Sequence, residues 1–547
     1  MSKFRIIKIL SICVALVAYL LSIATLSPAG AETASVPVNV TASPTVGLAD
    51  GGTITVTVTA GSSLIYGIEA RQCSSTAGSI DYTADFSPTV SGKCAATALG
   101  SAGADVFKSV TAVSPYSTAT LTFKVGKGTS TFTKQDSTTA TVQCDETHPC
   151  KLTLLLNVAG GTVFQSFPIG WAGQGARFNP VTPVRILDTR TSNTPSGQPG
   201  RLQDASTMNL QITGRSGIPV DATAVVMNVT AVSPTGPGFV TVWPRGVTQP
   251  LSSNLNFVPG DIVPNLVTVG IGSNGQVSLY HQGGTNDLIA DVVGYYSPVS
   301  GSYFTAVTPV RALDTRTTNI PGGVAARVQA GGEVSLPIAG ANGVPGNATA
   351  VVLNVTAVSP TVAGYVTVYP NGVSAPLASN LNFVPGDIVP NLVIVGIGSQ
   401  GKVNLFNANG TIDLVADVVG YYSPDNTAKQ FYPITPVRAL DTRNGTGGFS
   451  SPVGGTAIDL PIRGQNGIPN GASAIVMNTT AVSPTAEGYL TVWPTGVTQP
   501  LASNLNFVPG DVIPNLVQVG IGSNGSVSFY NFAGNVNLVA DLTGYFA

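Results

Sequence analysis

The sequence predicts an all-β protein: an N-terminal β-sandwich followed by three homologous β-sandwich or barrel-like modules. Three observations carry this expectation. Segments that alternate on a two-residue period recur along the chain, as in Thr53-Ile54-Thr55-Val56-Thr57-Val58, and their Val, Thr and Ile content suits pleated strands. The 63 glycines and 39 prolines among 547 residues match short strands joined by tight turns, while the 43% apolar content argues against disorder. Beyond residue 178 the chain repeats itself with a period long enough to be a whole domain.

Taken in order, the chain opens on an address. Lys3, Arg5 and Lys8 precede an apolar run over residues 9–23, and Ala29-Gly30-Ala31 is a small-x-small site. A signal peptide over residues 1–31, cut after Ala31, is expected. The run is short for a bilayer span, and no second one follows, so no transmembrane segment is expected after signal removal. The expected location is secreted, with attachment to the cell surface only through binding. Charged residues make up 9% of the chain and the net charge is -2, which leaves no footprint for nucleic acid. Cys13 leaves with the signal. Cys73, Cys94, Cys144 and Cys150 remain, and an even number in an exported domain reads as two disulfides. With only His148 and His281 and no paired C-x-x-C, neither a metal site nor a cofactor is expected.

Residues 32–172 form the first unit. Thr118-Ala119-Thr120-Leu121-Thr122-Phe123-Lys124-Val125 places Ala119, Leu121, Phe123 and Val125 on one face, and Lys151-Leu152-Thr153-Leu154-Leu155-Leu156 gives a further strand. Many short strands at this spacing indicate a β-sandwich. The runs Val38-Asn39-Val40-Thr41-Ala42-Ser43-Pro44 and Gly47-Leu48-Ala49-Asp50-Gly51 resemble neocarzinostatin-type apoproteins. So do the strand into Gln72-Cys73, Ala84-Asp85-Phe86-Ser87, and Thr141-Val142-Gln143-Cys144 with Cys150 and Asn157-Val158-Ala159-Gly160-Gly161. The resemblance implies a seven-stranded immunoglobulin-like sandwich with Cys73 paired to Cys94 and Cys144 to Cys150. Free-standing members carry an enediyne chromophore, which implies carriage of a small apolar ligand as one reading of this unit.

Three modules follow, over residues 178–298, 303–423 and 431–547. Val184-Arg185-Ile186-Leu187-Asp188-Thr189-Arg190 returns at Val310 and Val437. Ser253-Asn254-Leu255-Asn256-Phe257-Val258-Pro259-Gly260-Asp261 returns at Ser379 and Ser503. Ala290-Asp291-Val292-Val293-Gly294-Tyr295 returns at Ala416 and, altered, at Ala540. Strands are expected over residues 224–229, 239–243, 267–271, 276–280 and 288–295. Asn274-Gly275 predicts a type I′ hairpin between the third and fourth of these. The alternative to three separate modules is one larger closed assembly, such as a propeller with two blades per repeat. The repeats resemble a module found in tandem in exported actinobacterial proteins, which implies a surface role and no particular activity.

Candidate sites follow from residues that recur in every copy. Arg185, Asp188 and Arg190, with Arg311, Asp314, Arg316 and Arg438, Asp441, Arg443, offer either an anion or sugar site or an ion pair that pins the first strand; the structural role is favoured. Asp291, Asp417 and Asp541 sit in apolar strand sequence and suit either capping a turn or pairing with those arginines. Asp261, Asp387 and Asp511 each supply one turn carboxylate, a thin basis for calcium, which usually takes several clustered oxygen ligands. Alternation places Phe239 and Trp243, Tyr365 and Tyr369, and Tyr489 and Trp493 on one strand face with Thr241, Thr367 and Thr491. Such an aromatic face either meets solvent or a partner, where it can stack on sugar rings, or packs against a neighbouring repeat or loop. Asn254/Asn256 and their counterparts Asn380/Asn382 and Asn504/Asn506 offer amides to sugar hydroxyls, with backbone capping the favoured role. No catalytic residue is expected, because no histidine or catalytic motif recurs. The leading function is therefore a non-enzymatic exported binding or adhesion protein, its partner cell-wall or extracellular polysaccharide or another surface protein. A structural stalk or self-assembling scaffold is the main alternative.

Overall fold

A computed structural model describes residues 38–547 apart from 44–47, 61–63, 75–90, 101–103, 113–116, 146–147, 149, 160, 170, 172, 320 and 322. The expected signal peptide and Cys13 lie outside the described residues. The chain is all-β.

The first unit contains nine strands among the described residues: β1 (Val38–Ser43), β2 (Thr53–Ala60), β3 (Ile65–Ser74), β4 (Lys108–Thr111), β5 (Thr118–Lys124), β6 (Gly128–Thr133), β7 (Thr139–Cys144), β8 (Cys150–Val158) and β9 (Gly161–Ile169). A β1-β2-β5 sheet and a β4-β3-β8-β9 sheet face each other, and β6 and β7 form a separate ribbon. Ala119, Leu121 and Phe123 of β5 meet Ile68, Leu152, Leu154 and Leu156 in one core, while the threonines between them on β5 are exposed. Cys73 is bonded to Cys94 and Cys144 to Cys150, with sequence separations of 21 and 6. Closing a loop of the first size is worth about 3 kcal/mol. All five cysteines precede residue 151. Reduction is therefore expected to lower the unfolding temperature of this unit and leave that of the repeats unchanged, which calorimetry with and without dithiothreitol checks.

Each repeat folds alike. In the first, the strands are β10 (Arg177–Asp188), β11 (Ser206–Gln211), β12 (Ala224–Val232), β13 (Gly238–Pro244), β14 (Leu255–Phe257), β15 (Ile262–Gly270), β16 (Gln276–Gln282) and β17 (Asp287–Ser297). They form two antiparallel sheets, β10-β17-β12-β15 and β11-β16-β13-β14, and both orders recur in the second and third repeats. The sheets enclose one sandwich core, with Val225, Met227 and Val267 from one and Val240, Val242 and Leu279 from the other. Asn274 and Gly275 adopt the left-handed pair a type I′ turn requires. The turn does not close a hairpin, however: it carries the chain from β15 in one sheet to β16 in the other. Only Gly272 and Gln276 pair across it.

The repeats are not separate beads. Every residue of β12 is buried, so both its faces are covered, and its near-continuous apolar run is that of a strand sandwiched on two sides. Val225, Met227 and Val229 face their own sandwich. Ala224 and Val226 face a second core, shared with Val352 and Val476 and with Leu266, Leu392 and Leu516. Aromatic rings extend this core head to tail. Phe178 packs on Tyr422 at 4.5 Å, Phe304 on Phe546 at 4.3 Å, and Phe431 on Tyr296 at 4.3 Å. The glycine of each Val-Val-Gly or Leu-Thr-Gly segment makes room: a Cβ on Gly294, Gly420 or Gly544 would stand 2.3–2.4 Å from Phe178, Phe304 or Phe431. The backbone closes the same circle. The N–H of Phe178 donates to Ser302 O, that of Phe304 to Lys429 O, and that of Phe431 back to Ala176 O. The three sandwiches thus make one closed body with pseudo-threefold symmetry, as in the closed alternative but without propeller blades, since each repeat's two sheets face one another.

β15 is an edge strand of its sheet, and unpaired edges invite foreign strands. Here asparagines from the sister repeats take that edge. The N–H of Leu266 donates to Asn391 Oδ1 at 3.2 Å, that of Leu392 to Asn515 Oδ1 at 3.0 Å, and that of Leu516 to Asn265 Oδ1 at 3.0 Å. Their Nδ2 groups donate onward, Asn265 to Asn478, Asn391 to Asn228 and Asn515 to Asn354, at 2.7–3.0 Å. A buried ring of six carboxamides therefore sets the register between repeats.

Candidate functional site

The Arg-x-Leu-Asp-Thr-Arg motif forms a compact ion network at the first strand of each repeat. Arg185 donates from Nε and Nη2 to Asp291 at 2.8 and 3.0 Å, joining β10 to β17. Arg190 donates from Nε and Nη2 to Asp188 at 2.9 and 2.8 Å. The same pairs recur as Arg311 with Asp417, Arg316 with Asp314, Arg438 with Asp541 and Arg443 with Asp441. Hydrogen bonds from Arg443 hold the Asp441 carboxyl down at about 2. Burial pushes Asp291, Asp417 and Asp541 up, against the opposing pull of their arginines. With their forks committed to protein carboxylates, Arg185 and its counterparts hold strands together.

The aromatic strand face is not the open strip that alternation suggests. Trp243 and Trp493 are 5% and 6% exposed, and each indole N–H donates to a carbonyl of the following loop, Val247 at 3.1 Å and Val497 at 3.2 Å. Tyr369 is buried too, its hydroxyl bonded to Glu333. Thr241, Thr367 and Thr491 are buried and donate to Ser252, Ala378 and Ala502 carbonyls. The loop after the strand folds back over this face, which periodicity does not reveal. Asn254, Asn380 and Asn504 likewise serve the backbone, accepting the N–H of Val242, Val368 and Val492 at 2.7 Å. Only the outer aromatic of each strand remains accessible. Phe239 and Tyr489 are half-buried, Tyr489 stacking on Phe532 at 4.7 Å, and Tyr365 is 36% exposed.

Tyr365 opens onto a cavity that no single repeat contains. β15 and its equivalents, Ile388–Gly396 and Val512–Gly520, approach one another along the pseudo-threefold axis. At their far end Gly270 lies against Pro433, close to the Phe431–Ala176 pairing through which the first unit joins. At their near end they part around a cavity of about 720 Å³. Pro264, Pro390 and Pro514 lie at its inner end, and Ile262, Ile388, Phe383, Phe507 and Tyr365 form walls. Strands of nine residues at roughly 3.3 Å per residue place this mouth about 30 Å from the junction with the first unit.

Polar groups enter the cavity from one repeated turn. Val258-Pro259-Gly260-Asp261 has proline at its second position and Gly260 at φ 87°, the requirements of a type II turn. The turn projects Asp261, one oxygen of which accepts the Val258 N–H at 2.8 Å; Asp387 and Asp511 do the same. All three line the cavity, with Glu487. Burial raises the Asp387 and Asp511 carboxyls, and the neighbouring aspartates raise them further. Asn382 and Asn506 also line it. Each accepts a serine hydroxyl at Oδ1, from Ser379 and Ser503 at 3.1 Å, which leaves Nδ2 to donate. Within a single repeat each acid is a lone turn carboxylate. The fixed recurrence of Val-Pro-Gly-Asp was the available signal, but only closure of the ring brings the three together.

No protein-family model matches the chain, and no curated protein matches it. Among solved structures, a chain from the triple jelly-roll and turret assembly of an archaeal virus is 7% identical, with 68% of this chain and 92% of that one covered and a TM-score of 0.14. A chain of Sulfolobus Turreted Icosahedral Virus is 8% identical, with 71% and 88% covered and a TM-score of 0.13. Overlaps this low carry no argument about fold or function.

Proposed function

We propose that this chain is an exported, non-enzymatic binding protein of the extracellular space or cell surface, and that it engages polysaccharide through the axial cavity. The cavity itself carries the reading: one concave site, built jointly by three repeats, at the end of the body away from the first unit. Its walls suit a sugar, with a tyrosine ring and proline and isoleucine surfaces for pyranose faces and amide and carboxylate groups for hydroxyls. The expected signal peptide and the two disulfides favour an extracellular setting. Among the described residues all three repeats line this one cavity, so here they serve to build a site jointly. A rigid spacer carrying the first unit is the competing reading.

Retention of residues 32–547 on insoluble cell-wall and exopolysaccharide preparations tests the proposal. Tyr365→Ala is expected to lower retention roughly tenfold, the weight of one aromatic stacking contact, with unfolding temperature unchanged because the ring is partly exposed. If no preparation retains the protein, the spacer reading replaces this one.

A further inference from the structure

Charge selects among sugars, and the inference drawn from it rests on the polysaccharide reading of the cavity. Asp261, Asp387, Asp511 and Glu487 line one largely apolar hollow. Elsewhere in the repeats the buried aspartates of the Arg-Asp motif are matched by arginines. Around the cavity no carboxylate has an Arg, Lys or His within ion-pair distance among the described residues. Each aspartate has one backbone N–H as its hydrogen-bond donor. Burial raises the Asp387 and Asp511 carboxyls, and the charge of Asp261 beside both adds to it. Yet among the described residues no three acids converge tightly enough to hold a metal ion. The arrangement is a ring of spaced negative charges over apolar walls.

A neutral sugar chain seated there would offer these carboxylates only hydroxyl hydrogen bonds and leave their charge unmatched, and an acidic one would be repelled. Ammonium groups set along a chain of pyranose rings answer both features at once. We infer that the axial cavity binds an amino-polysaccharide, a sugar chain whose amino groups are free and protonated. The ammonium groups pair with Asp261, Asp387 and Asp511, a ring face rests on Tyr365, and hydroxyls accept from Asn382 and Asn506.

The test is calorimetric titration of residues 32–547, in slightly acidic buffer, with glucosamine oligosaccharides, N-acetylglucosamine oligosaccharides of the same length, and oligolysine. The triple variant Asp261→Asn, Asp387→Asn, Asp511→Asn removes the charge but keeps a side-chain oxygen for each Val N–H. The glucosamine oligomer is expected to bind at least tenfold more tightly than the acetylated one. The triple variant is expected to lose that preference, with binding of the acetylated oligomer within twofold of the parent. Should the triple variant fail to fold, Asp387→Asn alone is expected to narrow the preference about threefold. Equal affinity for the two sugars, or a preference that survives the substitutions, overturns the inference and leaves the polysaccharide reading standing. Oligolysine binding as tightly through the same aspartates overturns it in favour of a basic peptide. Failure of every oligosaccharide to bind removes the polysaccharide reading itself.

Discussion

Deleting the third repeat, residues 431–547, is expected to unfold the two that remain. The deletion strips Phe431, Ala474, Val476, Leu516 and Phe546 from the shared core. It uncovers Tyr296, Phe304, Leu266 and Leu392, all fully or almost fully buried in the intact chain. Each large side chain moved from core to water costs about 1.5–3 kcal/mol, and a domain has only about 5–15 kcal/mol in hand. The carboxamide ring opens as well, leaving Leu392 N–H without Asn515 and Asn354 Oδ1 without its donor. Calorimetry of the full chain should show one cooperative transition for all three repeats, and the truncated chain should show none and aggregate. A truncated chain that melts sharply near the parent temperature would mean that the sandwich cores suffice. Shortening the chain repeat by repeat therefore measures loss of fold before it measures loss of binding.

Arg438→Ala is expected to cost about 3–5 kcal/mol, the usual penalty for removing one partner of a buried pair. Asp541 is 1% exposed, and Arg438 reaches it through Nε and Nη2 at 2.7 and 3.1 Å. Burial already raises this carboxyl with the arginine in place; without it the carboxyl rises further. A carboxyl whose folded-state value lies above its unfolded one favours folding at low pH, and that support is lost as pH rises through the folded value. The deficit of the variant should therefore be largest at neutral pH and shrink as the buffer is acidified towards the range where Asp541 is protonated. Denaturant unfolding at neutral and mildly acidic pH checks both parts. A deficit that grows on acidification would show that Asp541 is not the group left unpaired. Replacing both residues, Arg438→Leu with Asp541→Leu, should recover much of the loss, since apolar substitutes for a buried pair are often nearly neutral.

The strand pattern, the repeats and the joining of Arg185 to Asp291 were legible because each depends on neighbours in sequence or on a charge too scarce to leave unmatched. Closure of the ring was harder to see. Its signals lay in two oddities: the near-continuous apolar run of β12, which leaves no polar face for solvent, and an asparagine at 265 inside a mostly apolar strand. Both mark contacts with a sister repeat, and periodicity within one repeat assigns a partner to neither. The aromatic strip shows the opposite failure. Alternation separated Trp243 from Val242 correctly, but which face meets water was decided by the loop returning over it. The Asn-Gly turn formed its local geometry while joining different sheets, because turn chemistry fixes dihedrals and leaves strand pairing to the rest of the fold.

A ring assembled from three identical chains must place every axial residue three times. Here one chain supplies all three positions, and the copies have diverged. Tyr296 and Tyr422 share a hydrogen bond between their hydroxyls on the axis, Gln518 donates to Tyr422, and the third position is Phe546. Thr268, Ile394 and Gln518 likewise occupy one equivalent site with three different side chains. Linkage in one polypeptide also fixes the proportion of the three parts and makes their association independent of protein concentration. Each axial layer can thus be tuned as a set of unlike residues, a freedom that exact symmetry denies.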